Sequence, residues 1–140
     1  MNRVAARLPE YSTVMSMYGV GKAMEPQLIA EIGDPRRFQN RKAITAYFGY
    51  DIENNDSGQK ISKSNCMTKK GAGALRRTLF IIMQVLLQNK PFDNPVYDFL
   101  IKKQLEGKHY YSYMNAAANK FLRIYYARVK EVLIDAEASA

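Results

Sequence analysis

From Ala72 to Gln88 the chain reads as one strong helix whose second half, Leu79-Phe80-Ile81-Ile82-Met83 followed by Val85-Leu86-Leu87, is apolar nearly all round. A helix with so little polar surface has to be enclosed by other elements, so it should lie at the centre of a core. The remaining sequence supplies those elements in helical periods. Val14, Met15 and Met17 give apolar positions to a short helix that Pro9 can open and Gly19 can end. Met24, Leu28, Ile29 and Ile32 recur at helical spacing before a stop at Gly33, with Pro26 near the first turn. Asp34-Pro35 begins a turn, Phe38 tucks inward, and Asn40 caps a third helix that runs to Phe48 and stops at Gly49. Asn94-Pro95 is a cap followed by a first-turn proline, and Gly107 closes that helix. From about His109 to Glu137, Met114, Ala117, Ala118, Phe121, Tyr125, Val129 and Leu133 fall on one stripe, with Lys120, Arg123, Arg128 and Lys130 elsewhere. The expected fold is mainly α, one domain over residues 1–140. Within it we expect two short helices flanking a glycine hairpin at about 9–33, a basic loop or small irregular β-hairpin at about 50–71, and a helical core at about 72–135.

A chain of 140 residues, 47% of them hydrophobic, is long enough for one real core and short for two. The single cysteine, Cys66, excludes an internal disulfide, and the single histidine, His109, leaves no cluster for a zinc site, so no metal is expected in this chain. Leu79 to Leu87, broken by Gln84, is too short to cross a bilayer, which takes about 20 apolar residues. With no secretory pattern at Met1, a cytoplasmic location is expected.

The charge is unevenly placed. Between Asp56 and Asp93 stand Lys60, Lys63, Lys69, Lys70, Arg76, Arg77 and Lys90 with no acidic residue, in a chain of formal net charge +8. Clustered cations gain affinity for nucleic acid by releasing its condensed counterions, which makes a polyphosphate backbone the natural partner. A solvated basic face with no specific partner, or a membrane-facing one, fits the same composition.

Gly19-Val20-Gly21 between two short helices has the pattern of a helix-hairpin-helix element, in which the next helix's N-terminus can face a phosphate and Lys22 adds charge. A plain helix-helix turn needs the same glycines. Ser57, beside Gly58, is an ordinary turn former on composition alone, and no histidine or carboxylate is placed by spacing to act as its base. Asp51, Glu53 and Asp56 do not form a metal-binding pattern. Arg76 and Arg77 sit early on a helix whose far end is buried; they suit bidentate phosphate recognition, or else pair with Glu31 and Asp34. Tyr110, Tyr111, Tyr113, Tyr125 and Tyr126 can stack on bases or fill a core.

Taken in order, Tyr18-Gly19-Val20-Gly21, Ala30-Glu31-Ile32-Gly33-Asp34, Arg37-Phe38, Ala46-Tyr47-Phe48-Gly49, Ser57-Gly58, Thr68-Lys69-Lys70-Gly71, Leu75-Arg76-Arg77 and Lys120-Phe121-Leu122-Arg123-Ile124 resemble one family. It is the C-terminal domain of DEDD insertion-sequence transposases, the class that includes Piv/MooV-type DNA invertases, and the resemblance runs from about Met15 to Val129. It implies a serine-bearing helical domain that follows a RuvC-like domain whose acidic tetrad holds a divalent metal such as Mg. The chemistry so implied is DNA strand cleavage and rejoining, with Ser57 as nucleophile. Gly19, Gly21, Lys22, Lys60, Lys63, Lys69, Lys70, Arg76 and Arg77 would hold the backbone, a guide RNA serves in members that have one, and the full-length protein is expected to be oligomeric. Tyr18 and Ile52 stand where the family usually has proline, and Asn55 and Asn65 replace commoner choices. With no RuvC-like segment ahead of Met15, the chain is expected to be a fragment or truncated gene product that does not cut DNA unaided. Two other readings stay open: a helix-hairpin-helix binding module with no catalytic residue, and an oligomerisation domain built on the tyrosine-rich last helix.

Overall fold

The computed structural model of the chain describes residues 7–49 and 72–139. All regular structure among these is helical, as the periodicities require. In order come α1 (Tyr11–Ser16), α2 (Met24–Ile32), a 3-10 turn (Pro35–Arg37), α3 (Arg41–Tyr47), α4 (Ala72–Asn89), α5 (Pro95–Leu105) and α6 (Tyr110–Ala138). The basic loop or β-hairpin expected at about 50–71 lies outside the described residues.

Local chemistry sets most of the boundaries. The Asn40 side chain accepts from the Ala43 amide at 2.8 Å, and Asn94 accepts from the amides of Val96 and Tyr97 at 3.0 Å each, satisfying donors that a helix start leaves open. Asp34 does the same for the 3-10 turn, accepting from the Arg36 amide at 2.9 Å. One boundary differs from expectation. Pro9 precedes α1 instead of opening it, because the Tyr11 amide donates to the Leu8 carbonyl in a separate turn and the helical ladder starts only from the Glu10 carbonyl.

The core runs the length of α4 and α6. On α4, Leu75, Leu79, Ile82, Met83 and Leu86 are buried, one stripe at helical spacing, and each such side chain contributes about 1.5–3 kcal/mol by leaving water. Ile81 is at the edge of exposure, and Phe80 is covered by the rings of Tyr110 and Tyr111, at 5.9 and 6.1 Å between centroids. The element that touches most others is α6, not α4. Across its 29 residues it packs on α5, α3, α4, α1 and the 3-10 turn. It buries Met114, Ala117, Ala118, Phe121, Leu122, Val129 and Leu133, along with Tyr113, Tyr125 and Tyr126. Those three tyrosines are core, while Tyr110 and Tyr111 remain exposed. Phe38 is buried as expected, and its carbonyl accepts from the Tyr126 hydroxyl at 3.0 Å.

Candidate nucleic-acid interface

The hairpin between α1 and α2 is a tight turn closed by the Val20 amide donating to the Met17 carbonyl at 3.2 Å. Gly19 occupies its third position with φ +91°, the left-handed backbone that a type II turn demands there. A second constraint comes from packing. A Cβ at Gly19 would stand 2.9 Å from Cγ2 of Ile82 and 3.3 Å from its carbonyl oxygen, so the turn rests directly on α4. Tyr18, in place of the family's proline, precedes this glycine without opening the turn. Val20 is buried and anchors the loop, whereas Gly21 and Lys22 are exposed and nothing approaches Gly21 on its Cβ side.

The Gly21 carbonyl accepts from the amides of Met24 and Glu25 at 3.0 and 2.9 Å. The hairpin thus caps α2 from within, and those two donors are not the ones that meet a phosphate. The remaining outward features are the exposed Lys22 and the open approach to Gly21.

Arg76 and Arg77 lie in the first turns of α4, five to six residues before Ile82, which is about 8–9 Å along a helix axis. With about 3.6 residues per turn, the two arginines lie on the same helix as the hairpin's seat at Ile82 but on other sides of it. Arg77 is exposed and makes no ion pair among the described residues; Arg76 is half-buried, its guanidinium 4.0 Å from where a Cβ of Gly73 would be. The two carboxylates expected as their alternative partners have bonds of their own. Asp34 holds Arg36 at 2.7 Å, which keeps its carboxyl below the usual range. Glu31 accepts from the Thr78 hydroxyl at 3.2 Å, a bond shared with the Ala74 carbonyl, and burial pushes its carboxyl up. Ser57, Lys60, Lys63, Lys69 and Lys70 lie outside the described residues.

Another arginine is structural. Arg37 donates to the Ile32 carbonyl at 2.9 Å and stacks over the rings of Phe38 and Tyr47, at 4.4 and 5.0 Å. Among the described residues no group of three or more His, Cys, Asp or Glu side chains is placed to hold a metal. The buried Glu10 and Glu25 do not fit one either, being sealed from solvent, and the exposed Asp34 is taken by Arg36. Cations that sequence reasoning did not group gather on the other flank of α6: Arg41 joins Lys120 and Arg123 around a cavity of about 530 Å³. In the sequence, Lys120 and Arg123 stood off the apolar stripe and inside one resembling segment, with nothing to join them to Arg41. Among the described residues no helix is long and apolar enough to cross a membrane.

The hairpin thus rests on the helix whose first turns carry Arg76 and Arg77, and comparison with known proteins supplies the class of the chain. Residues 11–97 match the Transposase IS116/IS110/IS902 family, and the chain belongs to that family. The pilin gene-inverting proteins of Moraxella bovis and Moraxella lacunata are each 27% identical to it over 121 residues, covering 86% of this chain and 37% of the relative. The chain thus spans little more than a third of the length of these curated relatives. No solved structure matches it.

Proposed function

We propose that this chain is the nucleic-acid-contacting, serine-bearing part of an insertion-sequence transposase or site-specific recombinase. The observation that carries the reading is the family match over residues 11–97, which spans both the glycine hairpin and the arginines of α4. The similarity to two pilin gene-inverting proteins supports the recombinase side of it.

In this reading Gly19, Gly21 and Lys22 approach a DNA backbone while Lys60, Lys63, Lys69, Lys70, Arg76 and Arg77 neutralise its phosphates. Ser57 is the nucleophile. Its Oγ forms a bond to phosphorus as the bond from phosphorus to the leaving sugar oxygen breaks, and the hydroxyl proton ends on that leaving oxygen; rejoining reverses the exchange. A RuvC-like companion domain with a divalent metal such as Mg would neutralise the charge that develops on the phosphate. A guide RNA, an oligomeric full-length protein and a cytoplasmic location belong to the same proposal.

The test joins this chain to a matching RuvC-like half with metal, DNA and any guide RNA. Ser57→Ala should abolish strand exchange, by at least about 10³-fold if the hydroxyl is the nucleophile, while DNA binding persists. Undiminished recombination removes Ser57 from the chemistry. A second reading, a helix-hairpin-helix module that grips backbone and catalyses nothing, draws on the packing explanation for Gly19. It requires Ser57→Ala to be silent while Gly21→Val and Lys69/Lys70 changes remove binding.

A further inference from the structure

Between α3, α5 and α6 lies a cleft of about 530 Å³ that the reading above does not use. Arg41 enters it from the first turn of α3, and Lys120 and Arg123 from α6, with Pro95, Phe99 and Ile124 among the apolar walls. Among the described residues no acidic side chain lines it. Three cations gathered without a counter-charge repel one another, so the cleft is electrostatically incomplete until an anion enters.

Two further observations point the same way. The Nε of Arg123 is buried with no hydrogen-bond partner among the described residues, although a guanidinium always carries its proton there. Such a donor waits for an acceptor. Lys120 holds its ammonium 5.0 Å from the Phe99 ring centroid, which fixes that charge against the apolar wall of the cleft. Pro95 and Ile124 also wall a second hollow, of about 40 Å³, with Met17, Tyr18 and Arg128, so Arg128 and the turn of the glycine hairpin border the cleft.

We propose that Arg41, Lys120, Arg123 and Arg128 form a track for one DNA strand, with a phosphate seated against Arg123 and the strand leading on to the Tyr18-Gly19 turn. This rests on the DNA-contact reading and extends it to a face of α6. The track explains why these cations stand apart from the ion pairs of the molecule: Arg36 and Lys103 are paired with carboxylates, and these four are not among the described residues.

Binding of the full chain to a fluorescein-labelled DNA duplex, followed by anisotropy across a salt series, tests the track. The pair Arg41→Ala/Arg128→Ala changes two exposed side chains, and Arg123→Gln removes the cation whose Nε is buried; thermal melts confirm that each variant is folded. We expect about tenfold weaker binding at low salt and a salt slope shallower by about 1 for each phosphate left unneutralised. Lys102→Ala, exposed on α5 outside the cleft, should bind as the parent does. If Arg123→Gln fails to fold, the exposed pair decides. Wild-type affinity and slope in the variants would overturn the track while leaving DNA binding standing; no DNA binding by the parent chain overturns both. Weakening confined to an RNA of the same sequence overturns the DNA assignment.

Discussion

Glu25 sits in the first turn of α2 with no exposed surface, and neither carboxylate oxygen has a hydrogen-bond partner among the described residues. The positive end of a helix favours a carboxylate there by roughly 0.3–1 kcal/mol, but burying an ion unpaired costs several kcal/mol. Burial prevails: it pushes the Glu25 carboxyl above its ordinary value of 4.5, with the nearby Glu10 adding to the rise. Deep burial and the same two acids push the Tyr125 hydroxyl up. Because the folded chain keeps the Glu25 proton to a higher pH than the unfolded chain does, this residue costs nothing below about pH 4.5. Stability falls as pH rises from there through the raised folded value. Glu25→Gln should therefore melt about 4 °C higher than the parent at pH 7, equivalent to ~1 kcal/mol, and the gap should close by about pH 4. Calorimetry at the two pH values checks it. Tyr126 carries the opposite kind of buried group, one that is satisfied: it donates to the Phe38 carbonyl and accepts from the Lys130 ammonium at 2.8 Å. Tyr126→Phe leaves that carbonyl without its donor and should lower stability by about 1–2 kcal/mol in urea titration.

The hairpin and its two flanking helices separate two glycines that look equivalent in the sequence. Gly19→Ala meets both a left-handed backbone and the Ile82 carbonyl and should destabilise by about 2–3 kcal/mol. Gly21→Ala meets open space at an ordinary φ and should change stability by less than about 0.5 kcal/mol, so any weakening of DNA binding it causes comes from the binding surface itself. Parallel melts and binding curves of the two variants make that distinction. Elements such as α3 and α5 were legible because a cap is local: Asn40 and Asn94 reach amides two or three residues away, and Gly33 and Gly107 adopt the positive φ that ends a helix. The start of α1 was not legible, because Pro9 suits a turn as well as it suits a helix's first position.

Across the whole molecule, apolar content points to α4 as the centre of the core, yet the longest helix has that place. Apolar content reports how much a segment buries, while α6 gains its role by length, since 29 residues reach about 44 Å and meet five other elements. With one helix shared by all of them, heat should unfold the described helices together, and far-ultraviolet and near-ultraviolet circular dichroism should give coincident transitions. The cations divide in the same way. Those between Asp56 and Asp93 are adjacent in sequence and were legible, whereas Arg41 meets Lys120 and Arg123 only through the packing of α3 on α6.

The bare contact between Gly19 and Ile82 also works as a mechanical stop. A shift of α4 along its own axis would force Ile82 into the turn, so a push on the hairpin is borne by α4 as a rigid strut. The start of α4 at Ala72 is thereby kept at a set distance from the Gly19 turn.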